Sequence, residues 1–162
     1  MRKLLLLAML YTGVAQAQLD HVSLGYGTMN FPMIGERSET PGGVAYLSIG
    51  KENIGGTLFI GGDSRITYGG ERWGSGMVGL AGFRELEIKN SGIKIGAVLG
   101  IVGFQTYRQA RGLALNDNRR IPQLKATNIQ PYGALRLVIG FVEVQYAPVS
   151  DMLTVGIKLY KH

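Results

Sequence analysis

Hydrophobic and polar residues alternate one by one through most of this chain. Within residues 153–160 every second position is apolar, namely Leu153, Val155, Ile157 and Leu159. The positions between them hold threonine, glycine, lysine and tyrosine. A period of two is what an extended strand requires when one of its faces is apolar. The pattern therefore predicts β-strands rather than amphipathic helices.

The same alternation recurs along the chain, interrupted by turn-forming residues. It predicts eight strands, at 20–29, 43–51, 57–68, 76–89, 93–106, 128–139, 141–147 and 152–160. Tight turns alternate with longer connections at 30–42, 69–75, 107–127 and 148–151. Short turns at one end and longer loops at the other are typical of bacterial outer-membrane barrels. We therefore expect an all-β fold, an eight-stranded antiparallel up-and-down transmembrane β-barrel.

The first residues are typical of an export signal. Arg2 and Lys3 precede an apolar stretch that ends at Val14, and Ala15-Gln16-Ala17 matches a small-x-small cleavage site. The apolar stretch is shorter than the ~20 residues that a spanning helix needs. We predict a signal peptide at 1–17 and a single barrel domain at 18–162, located in the bacterial outer membrane.

Charged side chains lie on the face opposite the apolar rows, close to the tight turns. In a membrane barrel this face is the interior, and eight strands leave room there only for side chains. We therefore predict a packed polar interior without an open pore. Its ion-pair cluster would comprise Glu85, Glu87, Lys94, Arg136, Glu143 and Lys158. Arg84 interrupts the apolar face, which suggests a bulge or a change of parity at this position.

Composition narrows the classes of partner. The net charge is +6, and an exported basic chain favours anionic outer-membrane lipids or lipopolysaccharide over nucleic acid. The loop at 107–127 contains Arg108, Arg111, Arg119 and Arg120 and is interpreted as polar and external. Cysteine is absent, and no residue spacing indicates a metal or another cofactor. We expect a monomer.

Two stretches resemble a known family. Residues 42–64, which contain a Gly-Gly start and the dipeptide Asp63-Ser64, and residues 132–148 resemble the lipid A palmitoyltransferase (PagP) family of small outer-membrane barrels. Members of that family transfer a palmitoyl chain from a phospholipid to lipid A. The resemblance implies acyltransferase activity, with His21, Asp63 and Ser64 as the catalytic residues.

The predicted strands place these residues differently. His21 follows the cleavage site by only a few residues, so it belongs near the tight-turn end, whereas Asp63 approaches a long connection. His21 is then a member of the interior polar cluster, and Asp63 can pair with Arg65. Three functions stay open: a non-catalytic outer-membrane barrel acting through its outer loops, a lipid A acyltransferase, and a soluble periplasmic ligand-binding barrel.

Overall fold

The chain forms one closed antiparallel barrel in which every strand pairs with its neighbours in sequence, and β8 closes on β1. The computed structural model describes residues 19–31, 41–66, 72–89, 91–109 and 123–160. Its strands are β1 (His21–Met29), β2 (Gly42–Lys51), β3 (Ile54–Ile66), β4 (Arg72–Ile88), β5 (Ile93–Gln109), β6 (Gln123–Ile139), β7 (Val142–Ala147) and β8 (Met152–Tyr160). The predicted fold class is thus confirmed. The predicted signal peptide lies outside the described residues.

The barrel closes with a stagger. Following the paired residues once around from Leu135 leads back to Thr127 of the same strand, a shift of 135 − 127 = 8 residues. Strand number and stagger together fix the tilt and the diameter of a barrel. Eight strands with this stagger leave a lumen that side chains fill.

The two ends of the barrel differ. One end, called here the short-turn end, carries the turns at 52–53, 89–92 and 140–141. The opposite, long-loop end carries the connections 30–41, 67–71, 110–122 and 148–151. The strands β5 and β6 extend into the predicted loop at 107–127, as far as Gln109 and from Gln123 onward. The alternation of hydrophobic and polar residues does not predict this extension, because residues 126–129 are exposed on both faces of the strand.

The outer surface is apolar. Leu, Ile and Val side chains point outward from every strand and stay largely exposed, as Leu80 and Leu99 do at 61 % and 69 %. Arg84 also points outward, but the pairing of β4 passes through it without interruption, so the predicted bulge or change of parity is wrong. Arg84 lies opposite Ile54, the first residue of β3, and hence level with the short-turn end. Among the described residues no helix is long and apolar enough to span a membrane.

Glycines inside the barrel make room for large rings. Tyr46 covers Gly25 on β1 and Gly156 on β8, which lie beside it in register. A Cβ at Gly156 would overlap the Tyr46 hydroxyl and the Leu24 carbonyl oxygen. Small residues opposite large ones let one layer of side chains fill a narrow lumen.

The filling of the lumen changes along the barrel axis. Toward the long-loop end it is an apolar cluster that includes Met29, Phe31, Phe59, Met77 and Phe104. Toward the short-turn end, buried polar and charged residues replace it. The charged layer contains four of the six residues that the sequence analysis assigned to an interior cluster, namely Glu85, Arg136, Glu143 and Lys158.

Candidate functional site: a buried ion-pair network and a basic rim

Four buried charges from four strands meet near the short-turn end. Lys158 Nζ on β8 donates to both carboxylate oxygens of Glu85 on β4, at 2.9 and 2.7 Å. Arg136 Nε on β6 lies 2.8 Å from Glu85 Oε1, and its Nη2 donates to Glu143 Oε2 on β7 at 2.6 Å. We call these four side chains the ion-pair network. It contains two cations and two anions, so the layer is formally neutral.

Further polar and aromatic side chains surround Arg136. Gln145 Nε2 donates to Glu143 Oε1 at 2.5 Å, and Arg136 Nη1 lies 3.4 Å from Ser48 Oγ on β2. The guanidinium also stacks on Phe83, with Cζ 3.7 Å from the ring centroid, a favourable cation–π geometry. Contacts from β2, β4, β6, β7 and β8 therefore converge at this level and occupy the cross-section of the lumen.

The network stabilises the fold because its charges are paired. Buried charges are tolerated only when they are paired and hydrogen-bonded, and removal of one partner leaves an uncompensated buried charge. Within the described part of the chain, no group of three His, Asp or Glu side chains is placed to hold a metal ion. The arrangement ties five strands together and closes the barrel interior.

The pairing register explains which predicted members of the cluster belong to it. Arg136 lies opposite Gln145 and Glu143 opposite Val138, so the two charges pair as diagonal neighbours across the β6–β7 hairpin. Glu87 and Lys94 lie directly opposite each other. Glu87 is exposed and does not join the buried network, because only the pair Ile88–Ile93 separates it from the short-turn end. Lys94 is half-buried, and its Nζ donates to Asn53 Oδ1 at 3.1 Å.

The three residues that the resemblance named as catalytic are not brought together. His21 lies opposite Gly50, which lies opposite Gly55 on β3. Asp63 and Ser64 follow eight and nine residues farther along β3, or about 26 Å or more at ~3.3 Å per residue. His21 therefore lies at the short-turn end and the Asp63-Ser64 dipeptide near the long-loop end, too far apart for proton transfer between them.

His21 belongs to the surroundings of the ion-pair network. Its buried ring packs 5.9 Å from the Phe83 ring and 6.2 Å from the Tyr160 ring. The Tyr160 ring in turn lies near the ammonium groups of Lys94 and Lys158, at 5.8 and 5.6 Å. The predicted pairing of Asp63 with Arg65 concerns a side chain outside those described.

The long-loop end carries a second group of candidate binding residues, which are basic. Register places Arg65 opposite Trp73, Trp73 opposite Arg108, and Lys125 opposite Tyr107. Basic residues on β3, β5 and β6 thus occupy neighbouring positions of the sheet near this end. The sequence analysis found the arginines of the loop but not this alignment, because alignment depends on the register of strands distant in sequence.

Comparison with solved structures shows which known proteins share this fold. No protein-family model and no curated protein matches the sequence. Ail, the attachment invasion locus protein of Yersinia pestis, matches in a structure with the heparin analogue sucrose octasulfate, at 9% identity over 87% of this chain and 98% of that chain, with a TM-score of 0.56. The N-terminal β-barrel domain of Pseudomonas aeruginosa OprF matches at 11% identity over 88% of this chain and 100% of that chain, with a TM-score of 0.54. The chain shares the fold of these eight-stranded outer-membrane barrels.

The resemblance to the lipid A palmitoyltransferase family is therefore wrong. The structural neighbours are Ail and OprF, and no sequence family matches. The residues that suggested the resemblance are glycines and alternating apolar residues in 42–64 and 132–148. Narrow barrels require such residues wherever a small position must lie opposite a large one, whatever reaction the protein performs.

Proposed function

We propose that the protein is an integral outer-membrane barrel without a pore, which binds anionic carbohydrate of the cell surface through its long-loop end. An exported chain with residues 1–17 as its signal peptide is consistent with this location. The apolar outer surface suits lipid, where a barrel has every backbone group paired within the sheet. The buried ion-pair network supports a role that does not depend on conduction.

The observation that carries the binding proposal is the charge of the β5–β6 hairpin. Residues 107–125 contain five basic residues and one acidic residue, which are Arg108, Arg111, Arg119, Arg120, Lys125 and Asp117. Basic clusters attract polyanions, and arginine binds phosphate or sulfate groups with two parallel hydrogen bonds. The structure of Ail with a sulfated sugar provides an example of such a ligand on this fold. The ligand class that we propose is the phosphorylated sugar of lipopolysaccharide or a sulfated polysaccharide.

The proposal is tested with the variant Arg119→Gln/Arg120→Gln. Binding of the purified barrel to immobilised heparin and to lipopolysaccharide micelles is measured over a range of salt concentrations. We expect the variant to bind about tenfold more weakly at low salt and to depend less steeply on salt, because each lost cation removes a screened attraction. The control Arg84→Gln/Lys89→Gln removes the same charge at the short-turn end. Equal weakening in both variants would contradict a site on the hairpin.

A further inference from the structure

A recess opens at the long-loop end across three adjacent strands, β3, β4 and β5. Its volume is about 370 Å³, within the ~300–1,000 Å³ typical of ligand pockets. Three of its lining residues, Gly62, Gly76 and Gln105, follow one another in register across the sheet. Ser64 and Tyr107 line it as well, and so do Asp63 and Ser75, which alternate along β3 and β4 with the outward-facing positions.

Five of the seven lining positions, Gly62, Ser64, Gly76, Gln105 and Tyr107, share the outward face of the barrel. Gly62 and Ser64 continue the row of Ile60 on β3, Gly76 continues that of Val78 on β4, and Gln105 continues that of Ile101 on β5. The three apolar side chains are 60 %, 57 % and 59 % exposed, respectively. The recess therefore begins where the apolar outer surface ends on the long-loop side. In a membrane this is the level of the lipid headgroups.

Missing side chains create the floor of the recess. A Cβ added at Gly76 would meet no atom within 4 Å, and one at Gly62 would meet only backbone atoms of β4. The Tyr107 ring lies over Gly74 and fills the space where a side chain would stand. The floor is thus bare backbone, and an aromatic ring stands at its edge.

The lining side chains on the outward face suit a sugar. The Ser64 hydroxyl and the Gln105 amide both donate and accept hydrogen bonds, as sugar hydroxyls do. Tyr107 offers an apolar ring face with a polar tip, which suits the mixed surface of a pyranose. A simple hydrocarbon chain would leave the polar groups without partners.

Basic positions flank the recess in the sheet. Register places Arg72 opposite Ile66 on β3, and Lys125 opposite Tyr107 on β5. Cationic residues at the membrane surface favour anionic headgroups. Sugar-compatible chemistry beside positive charge points to a phosphorylated sugar rather than a neutral one.

We propose that this recess binds the phosphorylated glucosamine headgroup of a glycolipid in the outer leaflet, alongside the barrel. The inference rests on the proposed outer-membrane location and adds a second, lipid-side site to the proposed loop interaction. In this arrangement Gly62 and Gly76 admit the sugar ring, Ser64 and Gln105 bind its hydroxyls, and Tyr107 packs against one ring face. The cationic positions attract the phosphate.

The test fills the recess without altering the packing. Gly76→Leu places a side chain in open space, and Gly82→Leu is the matched control on the same strand and the same face, where a Cβ would lie 3.8 Å from the nearest atom, the Gly55 carbonyl oxygen. Trp73 is the single tryptophan of the chain, two residues before Ser75 on the recess edge, and its fluorescence provides the signal. The full barrel is titrated in bilayers with lipid A bisphosphate, monophosphoryl lipid A, or phosphatidylethanolamine and phosphatidylglycerol.

We expect saturable binding of lipid A bisphosphate and weaker binding of the monophosphoryl form. Gly76→Leu should bind about tenfold more weakly, with Gly82→Leu unchanged and Gln105→Ala intermediate. Equal binding by wild type and Gly76→Leu, or an equal response to the phospholipid bilayers, would overturn the proposal. The Arg119→Gln/Arg120→Gln variant separates the two sites. Unchanged heparin binding in that variant, with lipid A binding lost in Gly76→Leu, would contradict the loop function alone.

Discussion

At the scale of single residues, Arg136 contacts more kinds of side chain than the other members of the ion-pair network do. It contacts two carboxylates, the Ser48 hydroxyl and the Phe83 ring, while being only 1 % exposed. Its planar guanidinium presents five N–H donors in a fixed fork, whereas the ammonium of Lys158 has three. The energetic importance of such a group comes from the charges that its loss would leave unpaired.

Arg136→Ala should therefore lower the free energy of unfolding by about 3–5 kcal/mol, because Glu143 would remain buried without its cation. The control Lys94→Ala removes a half-buried cation at the barrel mouth and should cost only about 0–1 kcal/mol. Urea unfolding of the barrel in lipid vesicles, followed by circular dichroism, measures both. Similar losses in the two variants would show that the network contributes nothing special to stability.

At the scale of strands, the interior rows depend on glycines that face large rings. Tyr46, Gly25 and Gly156 lie side by side on β2, β1 and β8, and the ring occupies the space of two missing side chains. Such a contact links three strands through a single residue. It also explains why the strands contain so many glycines although glycine weakens an isolated strand.

Gly156→Ala should destabilise the barrel by about 1–3 kcal/mol, because the added methyl group overlaps the Tyr46 hydroxyl and the Leu24 carbonyl in a filled layer. Gly133→Ala is the comparison, since its Cβ would lie 3.7 Å from Leu99 Cδ2 in ordinary contact. The midpoints of urea unfolding of the two variants should differ clearly. A Gly156→Ala protein as stable as wild type would mean that the row can shift to accommodate the methyl group.

At the scale of the whole molecule, side chains fill both halves of the lumen. Apolar side chains occupy the half toward the long loops, and the ion-pair network occupies the half toward the short turns. With eight strands staggered by eight residues, little width remains beyond these side chains. The outside of the barrel therefore carries the surface available for recognition.

The purified barrel should consequently show no steady ionic conductance in planar lipid bilayers at neutral pH. The reason is that Arg136 and Lys158 span the lumen to Glu85 with ion-pair distances of 2.7–2.8 Å, which leaves no continuous water path at that level. Detergent-extracted protein is compared with an empty-detergent control. Stable channels that scale with the protein concentration would refute the filled interior, and recovery in a soluble periplasmic fraction would favour the soluble alternative.

The sequence by itself determined the strand class, the strand number and the side of each strand that carries charge. These are local properties, since the direction of a side chain alternates with every residue of a strand. Only the tertiary structure decided which charges meet. Arg136 reaches Glu143 diagonally and Glu85 from another strand, while Glu87 lies outside the network. Such contacts depend on the register and stagger that arise when the sheet closes.

The same distinction separates the predicted site from the observed recess. Sequence reasoning proposed His21, Asp63 and Ser64 from a likeness between glycine-rich strands. Register places His21 at one end of the barrel and the other two residues at the opposite end. It passed over Gly76 and Gln105, which are unremarkable in sequence and become neighbours only across β4 and β5. The sequence of a single strand does not predict a recess formed by three strands. Its floor is glycine backbone, and its lining residues come from separate parts of the chain.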